Sequence, residues 1–128
     1  MNRPIKFRVW DKRENKGMST QNMLYDAQLH HLWQDFVDYP GSYELMQYTG
    51  LTDSNDNPIY EGDILMYKTG SIPTTGVIGQ VLYEADEGGY IFQWERKGPN
   101  QNYKNLNCDV AFESVIVGNI FEHSELLK

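Results

Sequence analysis

Hydrophobic and polar residues alternate at the start of the chain. Ile5, Phe7 and Val9 are separated by Lys6, Arg8 and Trp10, the period of two expected of a half-buried strand. Asp11 to Gly17 is polar and ends in glycine, which predicts a turn, and Met18 to Tyr25 is expected to return as the second strand of a hairpin. The period then changes. Leu29, Leu32, Trp33, Phe36 and Val37 fall at i, i+3, i+4, i+7 and i+8. That spacing places them on one face of a helix running from an N-cap at Asp26 to the stop Tyr39-Pro40-Gly41. So apolar a stripe needs burial, on the body of the protein or on another copy.

Beyond the helix the pattern is one of short strands. Leu45 to Thr49 and Ile64 to Tyr67 predict two, separated by the turn-rich segment Asp53 to Pro58. Residues 70–76 read as a Gly/Pro/Thr loop. Gly76 to Glu84 is apolar on both faces and is expected to be central, and Asp86-Glu87-Gly88-Gly89 makes the turn into the next strand. There Tyr90, Phe92 and Trp94 alternate with Ile91, Gln93 and Glu95. The aromatic stripe is expected to face the core, with Gln93 and Glu95 on the solvent side. Gly98 to Asn107 holds four of the ten asparagines and a proline and reads as an exposed loop. Val115 to Phe121 is a last strand, and Ser124 to Leu127 a terminal helical turn. The expected fold is mainly β with a minor α component: a small SH3-like antiparallel barrel over residues 59–128, plus an N-terminal hairpin and short helix over residues 1–58, packed as one unit.

Composition makes this a globular chain. Its 128 residues are 40% hydrophobic and 13% aromatic, enough for a moderate core. Mean hydropathy is −0.61, and no apolar run reaches the roughly 18 residues of a membrane helix, so no membrane association is expected. The first ten residues show no secretion signal, which points to the cytoplasm. Charge adds an asymmetry. Residues 1–16 hold six basic and two acidic residues, or +4; with −7 for the whole chain, the other 112 residues carry −11. The body repels phosphate, which disfavours general nucleic-acid binding, while the arm of Arg3, Lys6, Arg8, Lys12 and Arg13 alone could touch a phosphate backbone.

The search for chemistry finds no reaction. His30 and His31 are adjacent and would diverge on a helix, His123 is remote, and Cys108 is the one cysteine, so neither a metal site nor a disulfide is supported. Asp53, Asn55 and Asn57 imitate a calcium loop, but Pro58 stands where its glycine is required and Ile64 where its glutamate is required. Glu61 and Asp63 are better read as carboxylates bonded to backbone N–H groups or facing water around a bend at Gly62 than as an acid–base pair. Cys108 lacks a cationic neighbour and is expected to be a half-buried structural thiol. No phosphate loop, dinucleotide fingerprint or nucleophile elbow occurs, so no catalytic residue, cofactor or metal is expected.

Four segments resemble a known family when taken in order: Ile5-Lys6-Phe7-Arg8-Val9-Trp10-Asp11, Leu45-Met46-Gln47-Tyr48-Thr49-Gly50-Leu51, Ile59-Tyr60-Glu61-Gly62-Asp63-Ile64, and Val117-Gly118-Asn119-Ile120-Phe121-Glu122 followed by Glu125-Leu126-Leu127. Their order and separations resemble the YopX family of bacteriophage and prophage proteins over nearly the whole chain. The family often places Asn-Gly at the turn where this chain has Asn57-Pro58, which leaves the turn type open. The resemblance implies a β-rich fold with a small barrel, oligomeric assembly and a bacterial cytoplasm, and it carries no catalytic residue.

These features favour a non-enzymatic, self-associating interaction module, a homo-oligomer with a possible host or phage protein partner. Leu29, Leu32, Trp33 and Phe36 are its candidate surface. The alternatives are a nucleic-acid-associated regulator using the basic arm and an aromatic barrel face, an acidic DNA mimic that blocks a host enzyme, and an enzyme whose site is built only by folding.

Overall fold

The computed structural model describes residues 5–12, 23–25, 33–39, 41–68, 76–95 and 102–127, with the side chains of Trp33, Asp35, Phe36, Glu95 and Asn102 outside that description. The chain is mostly β, arranged in antiparallel sheets, one of them curled like half a barrel. It divides into two compact units, Met1–Tyr48 and Thr49–Lys128.

The first unit grows from the alternating N-terminal segment. Strand β1 (Phe7–Asp11) pairs antiparallel with β2 (Met23–Tyr25), forming the two sides of the predicted hairpin, and on its other side with β3 (Tyr43–Thr52). The register sets Val9 between Leu24 and Leu45 on one face and Arg8 between Tyr25 and Met46 on the other. Val9, Met46 and Tyr48 are buried. Helix α1 (Trp33–Asp38) occupies the end of the predicted helical span; the proposed N-cap Asp26 lies outside the described residues. β3 is ten residues long, about twice the predicted strand, because its second half continues into the other unit beside β4 (Pro58–Tyr60).

The second unit is a five-stranded sheet in the order β8-β7-β6-β5-β9, comprising β5 (Asp63–Lys68), β6 (Gly76–Glu84), β7 (Gly89–Glu95), β8 (Asn102–Asn105) and β9 (Ser114–Asn119). β6 is central, as its two apolar faces predict. One face, with Leu65, Val81 and Phe92, forms the core and is closed by Ile59 and by Val110 and Ala111 of helix α2 (Cys108–Phe112). Phe92 has no exposed surface and is flanked by Tyr67 (edge-on, 5.9 Å between centroids) and Trp94 (5.6 Å), so the aromatic stripe faces inward.

Three local expectations are corrected. The Asn-rich segment is not all loop, since Asn102–Asn105 forms edge strand β8 against β7. Asparagine has a low strand propensity, but the sheet edge supplies the hydrogen bonds that hold it extended. Gln93 does not face solvent. It is buried opposite Gln80, because the second face of this sheet is covered as well. Cys108 is exposed rather than half-buried, in the first turn of a short helix whose N-cap Asn107 accepts from the Val110 N–H at 3.0 Å.

Candidate interaction surface

The predicted apolar stripe is only partly visible. Leu29 and Leu32 lie outside the described residues, and Trp33 and Phe36 are placed in α1 without a description of their side chains. The remaining stripe residue, Val37, is 66% exposed. Sequence patterning gave no sign of its companions in the first unit: Ile5 is 67%, Leu45 60% and Tyr39 50% exposed. The Tyr48 N–H donates to the Lys6 carbonyl at 2.8 Å, which carries the β1–β3 pairing back toward Ile5. By alternation Ile5, Val9 and Leu45 therefore share one face of the sheet, where Val9 is fully buried and the other two are open.

Three residues of the basic arm, Lys6, Arg8 and Lys12, are described. The Lys6 ammonium sits 5.6 Å from the centre of the Tyr48 ring, Lys12 pairs with Glu44 at 2.6 Å, and Arg8 is buried. Arg3 and Arg13 lie outside the described residues.

The carboxylates that resembled sites hold backbone instead. Asp53 is buried, and its Oδ1 accepts the N–H groups of Asn55 and Asn57, each at 2.9 Å. Its Oδ2 accepts the Ile116 N–H of β9 at 3.0 Å, from 63 residues away. The calcium-loop imitation is an Asx turn whose second oxygen pins a strand. Asp63 Oδ2 accepts the Tyr60 N–H at 2.8 Å across Gly62, whose own N–H donates to the Val81 carbonyl. Among the described residues, no three His, Cys, Asp or Glu side chains are grouped to hold a metal ion.

A third such node closes the C-terminus. Asn119 Oδ1 accepts the N–H groups of Phe121 and Glu122, and His123 Nδ1 accepts the Asn119 N–H at 3.2 Å. The Ile120 N–H donates to the Gly62 carbonyl, joining this corner to the bend before β5. Of the segments that suggested a family, the third through Asp63 and the fourth through Asn119 thus hold a turn or a strand end. Among the described residues, no helix is long and apolar enough to cross a membrane.

A family model described as YopX protein matches residues 6–128. No functionally curated protein matches the sequence. Among solved structures, the crystal structure of protein EF1440 from Enterococcus faecalis is similar at 23% identity and a TM-score of 0.55, covering 99% of this chain and 100% of that one. That likeness is one of fold.

Proposed function

The chain belongs to the YopX family, and on that premise we propose that it is a non-enzymatic, self-associating protein-interaction module of a phage or prophage, working in the cytoplasm of the bacterial host. The observation that carries this reading is the open apolar set on the first unit: Ile5, Val37, Tyr39 and Leu45 are each half or more exposed. A single exposed leucine is ordinary, but two apolar residues on the same sheet face as fully buried Val9, in a unit of 48 residues, suit a contact between chains. Among the described residues of the arm, Lys6 lies over Tyr48, Lys12 pairs with Glu44 and Arg8 is buried, and none of these three observations favours the phosphate-binding alternative.

The test is solution mass by light scattering or sedimentation across a wide range of concentration. A mass rising above 14.9 kDa with concentration supports the module reading, and Leu45→Glu should shift the balance toward monomer. A strictly monomeric wild-type chain would overturn the self-association.

A further inference from the structure

The second face of the five-stranded sheet, opposite the core, carries the inference. Register places Gly118, Ile64, Gln80 and Gln93 in one row across β9, β5, β6 and β7. At Gly118 that row is filled by another residue. A Cβ built there would lie 2.6 Å from Cγ and Nδ1 of His123, so the imidazole occupies the side-chain position that glycine leaves empty. The chain after Asn119 therefore folds back over this face, and its final turn, Ser124–Leu127, packs against β6. Ile64, next in the row, has no exposed surface.

Most of the hydrogen bonds described for this segment lie within it, and one joins it to the bend at Gly62. Asn119 accepts from Phe121 and Glu122 through its side chain and from His123 through its carbonyl, His123 accepts from Asn119 and Leu126, and Ile120 donates to Gly62. None of its residues belongs to the core cluster. Gln80, in the same row on the strand that the final turn contacts, is 4% exposed, and its Nε2 has no hydrogen-bond partner among the described residues. A buried donor without a partner is costly, and water would satisfy it wherever this face opened.

We propose that Ile120–Leu127 is a detachable strap, latched by the His123 ring over Gly118, whose release uncovers the Ile64–Gln80 row while the sheet stays folded. The proposal is independent of the self-association reading, since it concerns only the second unit.

Amide hydrogen exchange on the full chain tests it. In the wild type, the Phe121, Glu122, His123 and Leu126 amides should open locally while Val81 and Phe92 exchange only with global unfolding. Gly118→Ala displaces the ring and should speed the strap amides by on the order of tenfold or more, leaving the β6 and β7 amides unchanged. His123→Ala removes the ring and should act in the same way, which keeps the test usable if Gly118→Ala does not fold. Gln80→Met removes the unsatisfied donor and should slow strap opening. Strap and sheet amides that speed up together in the His123 variant would make the segment part of the cooperative core and overturn the strap. Unchanged strap exchange in that variant, or faster strap opening in Gln80→Met, would overturn it as well.

Discussion

At the scale of single residues, three buried or half-buried polar side chains do what a larger core would otherwise do. Asp53 is the strongest case, with three backbone N–H groups converging on one buried carboxylate. Hydrogen bonds to a charged group contribute about 1.5–3 kcal/mol each, and donors left unpaired cost more. Asp53→Ala should therefore destabilise the second unit by at least about 3 kcal/mol in denaturant unfolding, and Asp53→Asn, which keeps one acceptor oxygen, by less. A change within about 0.5 kcal/mol, the usual range for a plain surface site, would show that the turn does not depend on this carboxylate. Tyr103 offers a test by pH. Its hydroxyl donates to Glu87 Oε1 at 2.7 Å, and that bond, followed by the glutamate's negative charge, raises the phenol above the usual tyrosine range. A raised acid is held in its protonated form by folding. The stabilisation is thus present below the ordinary tyrosine pKa and disappears as pH rises through the higher folded value. Carbon NMR at Cζ should show Tyr103 ionising late, and Glu87→Gln should bring its titration down. An unmoved titration in Glu87→Gln would remove the carboxylate as the cause.

At the scale of elements, the close approach of strands is governed by residues that carry no pattern signal. Gly79 lies on central β6, and a Cβ there would fall 2.4 Å from the Gln93 carbonyl oxygen and 2.9 Å from Phe92 Cε1. Gly79→Ala should cost at least the roughly 1–3 kcal/mol typical of overpacking, whereas Asn107→Ala at the cap of α2 should cost about 1 kcal/mol. Thermal unfolding of the pair orders the two effects, and an alanine at 79 milder than one at 107 would contradict the packing described. The same elements show what patterning can carry. β6 follows its two-sided apolar run from Gly76 to Glu84 because a strand buried on both faces needs no partner information to be recognised. β8 was illegible, since Asn102–Asn105 is extended only by virtue of the β7 edge beside it. Gln93 misled for a related reason: alternation identifies two faces but not whether the second is covered. The nodes at Asp53 and Asp63 are legible in sequence, as a turn and as a carboxylate beside the Gly62 bend, and Asn119 only as part of a family segment, while their long-range partners, Ile116 for Asp53 and Gly62 for the Asn119 corner, follow from topology alone.

At the scale of the whole molecule, charge and apolar exposure act in opposite directions on assembly, and salt separates them. The chain carries −7, so two copies repel each other at long range. The surface proposed to join them is apolar: Ile5, Val37, Tyr39 and Leu45. At about 0.15 M salt the Debye length is only about 8 Å, so added salt weakens the repulsion and leaves apolar burial intact. Self-association through this surface should therefore strengthen or hold steady as salt rises from low ionic strength. Binding of phosphate by the basic arm would weaken steeply over the same range as counterions return to the nucleic acid. Sedimentation of the wild type and of Leu45→Glu at low and physiological salt reads both terms at once. The wild type should gain mass, or keep it, as salt is added, and Leu45→Glu should remain lighter at every salt concentration. Assembly that dissolves on adding salt would mean that charged contacts, and not the exposed apolar residues of the first unit, hold the copies together.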